Sequence, residues 1–207
     1  MISLLVPPSL RSEAHKQRTR IRIRHERRAD IAEREALLDA AFGPGRFAKS
    51  SERLREGRKP ARGLALVAHC DGRLVGTLRL WSVVTATGHL CLLLGPLAVD
   101  ADVRSLGIGA ALMWQALHKA KLLGHRAVIL VGDAAYYNRF GFSADKTGAL
   151  RMPGPTERER LLACELLPDA LTDARGLIAP RPSRLLRLVK RAAAMGPVMG
   201  QAVPASR

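Results

Sequence analysis

Arg104-Ser105-Leu106-Gly107-Ile108-Gly109-Ala110-Ala111 decides the reading of this chain. An apolar, strand-like run at residues 90–99 precedes it, and a helix-like run ending near Leu123 follows it. A strand that turns through Gly-x-Gly into a helix is a cradle for phosphate. The two glycines let the backbone approach an anion with no Cβ in the way. The first N–H groups of the helix have no intrahelical partner and face that anion. Arg104 adds a fork of donors suited to phosphate oxygens. The chain is therefore expected to bind a molecule carrying a pyrophosphate.

Two common phosphate loops do not fit. A dinucleotide fingerprint needs a third glycine three residues after the second, where this chain has Leu112. A nucleoside-triphosphate loop needs Gly-Lys-Ser/Thr, a triplet that does not occur here. The loop does fit Arg/Gln-x-x-Gly-x-Gly/Ala. Upstream of it stands Leu92-Leu93-Leu94-Gly95-Pro96-Leu97-Ala98-Val99-Asp100, and downstream Ala135-Tyr136-Tyr137-Asn138-Arg139-Phe140-Gly141-Phe142. In order, spacing and ending, residues 92–142 resemble the GCN5-related N-acetyltransferase (GNAT) superfamily, and most of all its YhbS-like branch. The wider likeness of fold spans residues 20–167.

The resemblance implies an α/β chain with the GNAT fold. Its central sheet is mixed and mostly antiparallel, is flanked by helices, and has parallel fourth and fifth strands that splay to open a cleft. It implies acetyl-CoA as cosubstrate and no metal. The pantetheine arm would lie in the cleft along the backbone of Leu97, Ala98 and Val99, as an added strand does. The diphosphate would sit on Arg104, Ser105, Leu106, Gly107, Ile108, Gly109 and Ala110, with Tyr136 and Phe140 as further cofactor contacts. Tyr137, the tyrosine of Tyr-x-x-x-Gly-Phe, is implied as the general acid for the departing thiolate, with Tyr136 the alternative. A phenol, with a reference pKa of about 10, is protonated at neutral pH.

The reaction implied is acetyl transfer to an amine by direct attack in a ternary complex, an EC 2.3.1.- activity. Its base is open. Relatives often use a carboxylate on the central strands, but residues 73–84 and 89–99 hold neither Asp nor Glu. His89 is the candidate left at the start of the fourth strand, and a surface position explains it equally well. The acceptor is unidentified. In relatives, specificity comes from the segment after the first helix and from the final hairpin. Here these are residues 43–62 and 145–160, both rich in Arg and Lys, which points to an anionic acceptor. Two other functions stay open: a coenzyme A sensor without turnover, and an acetyltransferase whose basic ends dock on nucleic acid, a membrane surface or an acidic carrier protein.

Periodicity fills in the elements around the loop. Residues 19–25 alternate Ile and Arg as a half-buried strand does. Asp30 and Glu33 look like a capping box for a helix whose apolar face is Ile31, Leu37, Leu38 and Ala41 and which stops at Gly43. A short helix is expected near residues 51–55. Asp71-Gly72 between two apolar runs signals a hairpin of residues 64–70 and 73–84. Gly95-Pro96 marks a bulge, because proline has no N–H for a ladder, and Asp100 belongs to the turn that follows. Leu112, Met113, Ala116, Leu117 and Ala120 form the buried face of the helix after the loop, which Gly124 ends. Residues 127–131 read as a buried parallel strand, 134–140 as a short helix, Phe142 as the start of a strand, and 161–166 as a last strand.

The 207 residues are thus expected to form a flexible arm (1–18), an acetyltransferase domain (19–167) and a basic C-terminal extension (168–207), in which residues 183–195 can form a short helix. The net charge of +16 sits mostly at the ends: +8 over residues 1–62, +3 over 63–150 and +5 over 151–207. Scarce aromatics at those ends argue against a platform for single-stranded nucleic acid. No apolar run is long enough to span a membrane. Cys70, Cys91 and Cys164 show no metal-ligand spacing and read as free thiols of a reducing compartment, hence a cytoplasmic location; a monomer or homodimer is expected.

Overall fold

In the computed structural model, which describes residues 20–182, alternating side chains bury both faces of one central sheet. Its strands are β1 (Ile21–His25), β2 (Ala65–Cys70), β3 (Arg73–Val84), β4 (Leu90–Val99), β5 (Ala127–Val131), β7 (Leu161–Glu165) and β9 (Ala179–Pro180). The order is β1-β2-β3-β4-β5-β7, with β9 paired to the end of β3. Every pairing is antiparallel except β4 with β5. β6 (Leu150–Arg151) and β8 (Gly176–Leu177) form a small separate ladder.

Among the described residues three α-helices cover this frame: α1 (Ile31–Phe42), α2 (Ile108–Leu122) and the short α3 (Ala134–Tyr137). The face of α2 read from the sequence is the one buried: Leu112, Met113, Ala116, Leu117 and Ala120 meet Leu66, Leu78, Leu92, Val128 and Leu130. On the opposite face Trp81, Leu93, Ala127 and Ile129 pack with Leu54, Leu150, Leu161 and Ile178. The hairpin turn forms as expected, with Asp71 and Gly72 both at positive φ, the backbone that this two-residue turn requires.

Four expectations change. Ile31 is 44% exposed, whereas Arg34 of the same helix is only 5% exposed. Arg34 reaches the carboxylates of Glu26 and Glu35, and Glu26 also accepts from Arg79, so an ion-pair network replaces one apolar contact. Asp30 does not cap α1 with its side chain; it accepts from Arg24 at 2.6 and 2.8 Å and from the Arg27 N–H at 2.6 Å. Glu33 accepts from the Leu74 N–H of β3 at 3.3 Å. Phe142 starts no strand; a single bridge, Ser143 with Ala163, is all that forms there, and Phe142 fills the core instead.

The fourth change concerns the C-terminal extension. Packing does not stop at residue 167, because Ala170, Leu171, Ala174 and Ile178 are buried in the second face of the core and β9 extends the sheet. The arm at 1–18 and the helix expected at 183–195 lie outside the described residues. Among those described, no helix is long and apolar enough to cross a membrane, and no cluster of three metal-ligating side chains occurs.

Candidate active site

β4 and β5 part company after two residue pairs, Leu92 with Val128 and Leu93 with Ile129. The cause sits on β4. Leu78 of β3 faces Leu97 and Leu80 faces Leu94, so Gly95 and Pro96 oppose a single residue and bulge. Trp81 fixes the bulge by donating from Nε1 to the Gly95 carbonyl at 2.7 Å. Beyond it, β4 bends from β5 and leaves a cleft whose wall is the backbone of Leu97, Ala98 and Val99.

One end of the cleft, about 480 Å3, is lined by Leu97, Ala98, Val99, Arg104, Gly107, Gly109, Ala110, Tyr136, Tyr137 and Arg139, together with Ala41 and Phe42 of α1. Gly107 is at φ 71°, ψ 12° and caps α2. The first-turn N–H groups of the helix have no intrahelical partner, and Gly109 and Ala110 of that turn line the cleft. A Cβ on Gly109 would come within 3.0 Å of the Tyr136 Oη, so that glycine lets the phenol lie against the helix start. Arg139 stacks over the Tyr136 ring at 4.3 Å. Asp100 closes the preceding turn by accepting from the Asp102 N–H.

The structure thus brings together most of the residues read from the sequence: Leu97, Ala98, Val99, Arg104, Gly107, Gly109, Ala110, Tyr136 and Tyr137. It does not bring all of them. Ser105 and Leu106 are exposed on the turn before α2. The Ile108 and Phe140 side chains point into the core, Phe140 edge-on to Trp114. From Ile108, only the backbone is available to a ligand.

Tyr137 stands where this end meets the other. It lines both spaces, and its ring lies across Gly132, just after β5, where a Cβ would fall 2.3 Å from Cε2. Burial first, then the neighbouring Tyr136, push the Tyr137 phenol up to about 12. The phenol therefore stays protonated throughout the working pH range.

The far end, about 340 Å3, is lined by Phe42, Arg46, Lys49, Ser51, Glu52, Arg55, Gly95, Pro96, Gly132, Asp133, Tyr137 and Arg160. Sequence reading missed Phe42, Glu52, Arg55 and Gly132 as individuals, although it pointed to the two segments that meet here. His89 is not part of the cleft. It lines a different cavity with His125 and Arg126 at the start of β4, held by Thr87 at 3.0 Å, and so does not reach the cleft as a base. Among the residues that line the far end, Glu52, in the short helical turn at residues 52–54, brings a carboxylate, which is paired with Arg55 at 2.7 Å.

Comparison with known proteins places this geometry. The sequence model described as "Acetyltransferase (GNAT) family" matches residues 31–142. The chain belongs to the GNAT acetyltransferase family. It is 32% identical over 146 residues to the "Uncharacterized N-acetyltransferase YhbS" of Escherichia coli (strain K12), covering 70% of this chain and 86% of that protein. Its fold is similar to the crystal structure of Escherichia coli YhbS in complex with CoA, with a TM-score of 0.68 and 31% identity over 79% of this chain and 91% of that one. It is also similar to a GNAT family acetyltransferase from Brucella melitensis in complex with acetyl-CoA, with a TM-score of 0.60 and 28% identity over 79% of this chain and 97% of that one. The mixed sheet with its parallel β4–β5 pair is the fold that the loop at 104–111 announced.

Proposed function

We propose that this chain transfers an acetyl group from acetyl-CoA to an amine, by direct attack within a ternary complex. One observation carries the reading: the open backbone edge of β4 runs from the glycine-capped start of α2 to the phenol of Tyr137. The residues present fit acetyl-CoA. Gly107 takes the left-handed turn, the missing Cβ of Gly109 leaves the helix start open beside Tyr136 and Val99, and Arg104 and Arg139 flank it with positive charge. The N–H and C=O groups of residues 97–99 on the β5 side suit the amides of a pantetheine arm.

When bound, acetyl-CoA supplies an activated thioester carbonyl. The chain's part is to position and to move protons. A β4 backbone N–H beside the bulge is suited to hold the carbonyl oxygen as charge gathers there. Tyr137 donates to the departing sulfur. A phenol near 12 is a weaker acid than a thiol of about 8.5, so its role is to hydrogen-bond the developing thiolate rather than to be fully ionised. Glu52, which lines the far end, would take a proton from the incoming ammonium. The free thiols Cys70, Cys91 and Cys164 support work in a reducing compartment such as the cytoplasm.

Acetyl-CoA is expected to raise the melting temperature, and Gly109→Trp to remove that rise by filling the cradle. Tyr137→Phe is expected to lower kcat about 10²-fold with little change in acetyl-CoA affinity, read by thiol release and calorimetry. Because Tyr137 stays protonated, kcat should climb with pH as the amine deprotonates, with no falling limb below about pH 10. Unchanged thiol release by Tyr137→Phe would remove the donor role. No calorimetric heat from acetyl-CoA would overturn the reading as a whole.

A further inference from the structure

The far end of the cleft gathers cations from segments distant in sequence. Arg46, Lys49 and Arg55 come from the stretch after α1, and Arg160 from the turn before β7. The two stretches are tied by Ser50 and Thr156, whose hydroxyls meet at 2.8 Å, so the placement of these charges is built in. A second space of about 360 Å3, lined by Lys49, Ser51, Thr156, Glu157 and Arg160, adjoins the first.

The cations are not equally neutralised. Arg46 is satisfied by Glu35 at 2.5 Å and Asp39 at 2.8 Å. Arg55 has Glu52, yet it is 8% exposed and its Nε has no hydrogen-bond partner among the described residues. Its guanidinium rests against the β4 bulge, with Nη1 3.8 Å from where a Cβ on Gly95 would stand. Among the described residues the ion pair of Arg160 is an exposed contact with Glu157 at 3.9 Å, which contributes little. Lys49 makes no ion pair among the described residues and lies over the Phe42 ring at 4.5 Å. The remaining carboxylate of the lining, Asp133, is turned to the start of α3, where it accepts from the Ala135 N–H.

Building on the acetyl-transfer reading, we propose that Lys49, Arg55 and Arg160 select acceptors that carry an anionic oxygen group, a carboxylate or a phosphate, besides the amine that is acetylated. Lys49 and Arg160 are the direct contacts, and Arg55 supplies fixed positive charge beneath them. The electrostatics agree: burial, then the nearby charges of Arg55 and Arg160, hold the Lys49 ammonium below its usual range, a repulsion that an anion seated among the three relieves. The volume suits a small molecule. Charge-assisted, forked contacts of the kind Arg160 offers are the strong ones for carboxylate and phosphate.

The test uses matched amines with the full-length protein and saturating acetyl-CoA. An amino carboxylic acid is compared with its amide, and a phosphorylated amino alcohol with the free alcohol. Wild type is expected to favour the anionic member by about tenfold or more in kcat/KM. Lys49→Gln/Arg160→Gln is expected to lose that preference while its acetyl-CoA dissociation constant stays put. The arm showing the larger ratio tells carboxylate from phosphate. In parallel, inorganic phosphate is titrated into the CoA-saturated protein, which should raise the melting temperature of wild type but not of the double variant. Equal kcat/KM within each pair, or a phosphate effect that survives in the double variant, overturns the proposal. Failure of acetyl-CoA to bind is a separate result that overturns the acetyl-transfer reading.

Discussion

Gly132 shows how much a single missing Cβ governs at the residue scale. The Tyr137 ring occupies the space that any side chain at 132 would need, and the backbone of Gly132 is not in the left-handed region. Alanine is therefore acceptable to the chain but not to the ring. Gly132→Ala is expected to displace the phenol and lower kcat by about 10²-fold, the order reached when a catalytic group shifts by about 1 Å. Acetyl-CoA affinity, set at the other end of the cleft, should be kept. Steady-state kinetics beside calorimetry separate the two, and an unchanged kcat would mean that the ring position is unused. Gly107 and Gly109 were legible because their purpose is local, a turn and a helix start within a few residues. Gly132 carries no such signature, since its reason is a ring that only the fold lays across it.

The elements themselves followed their periodicity wherever burial was apolar. The β3 and β4 strands, the hairpin turn and the α2 face formed as read, because alternation and the 3.6-residue repeat report directly on which side is dry. α1 departs from that rule. Arg34 takes a buried place among Glu26, Glu35 and Arg79, and a pattern built on hydrophobicity has no means to find a buried ion-pair network. Asp30 at the start of α1 gives a test. The hydrogen bond from Arg24, with the Arg27 N–H, holds its carboxyl down to about 2, below the unfolded value of about 3.9. The folded state thus keeps Asp30 ionised where the unfolded chain protonates it. Its stabilisation is complete above about pH 5 and is lost as pH falls through the range down to about 2. Asp30→Asn is expected to cost about 2 kcal/mol at pH 7. Urea denaturation at pH 7 and pH 3 should show the gap between variant and wild type narrowing at the lower pH. A gap that widens on acidification would contradict the assignment.

For the whole molecule, the boundary of the domain is a matter of what covers the second face of the sheet. Residues 170–178 bury Leu171 and Ile178 against Trp81, Leu93 and Ile129, and β9 continues the sheet along Val83 and Val84. Removing everything after residue 167 uncovers these groups. At about 1.5 to 3 kcal/mol for each large aliphatic side chain, the loss is about 3 to 6 kcal/mol, a fall in melting temperature on the order of 10 °C. Scanning calorimetry of this truncation beside the full chain decides it, and equal stability would return the boundary to 167. A short apolar residue every few positions among Pro, Asp and Arg gives no period to read, so this cover was invisible in one dimension.

By itself, the amino-acid sequence determined the phosphate-cradling turn, the strand and helix faces, and through them the family of folds. Each of these depends on neighbours within about one turn or one pleat. Tertiary structure decided which charges meet. Lys49 and Arg55 lie over a hundred residues from Arg160, and the β4 bulge that seats Arg55 opens toward both. Coulomb forces act through space and not along the chain, so the character of the far end of the cleft emerges only once the sheet has folded those segments together.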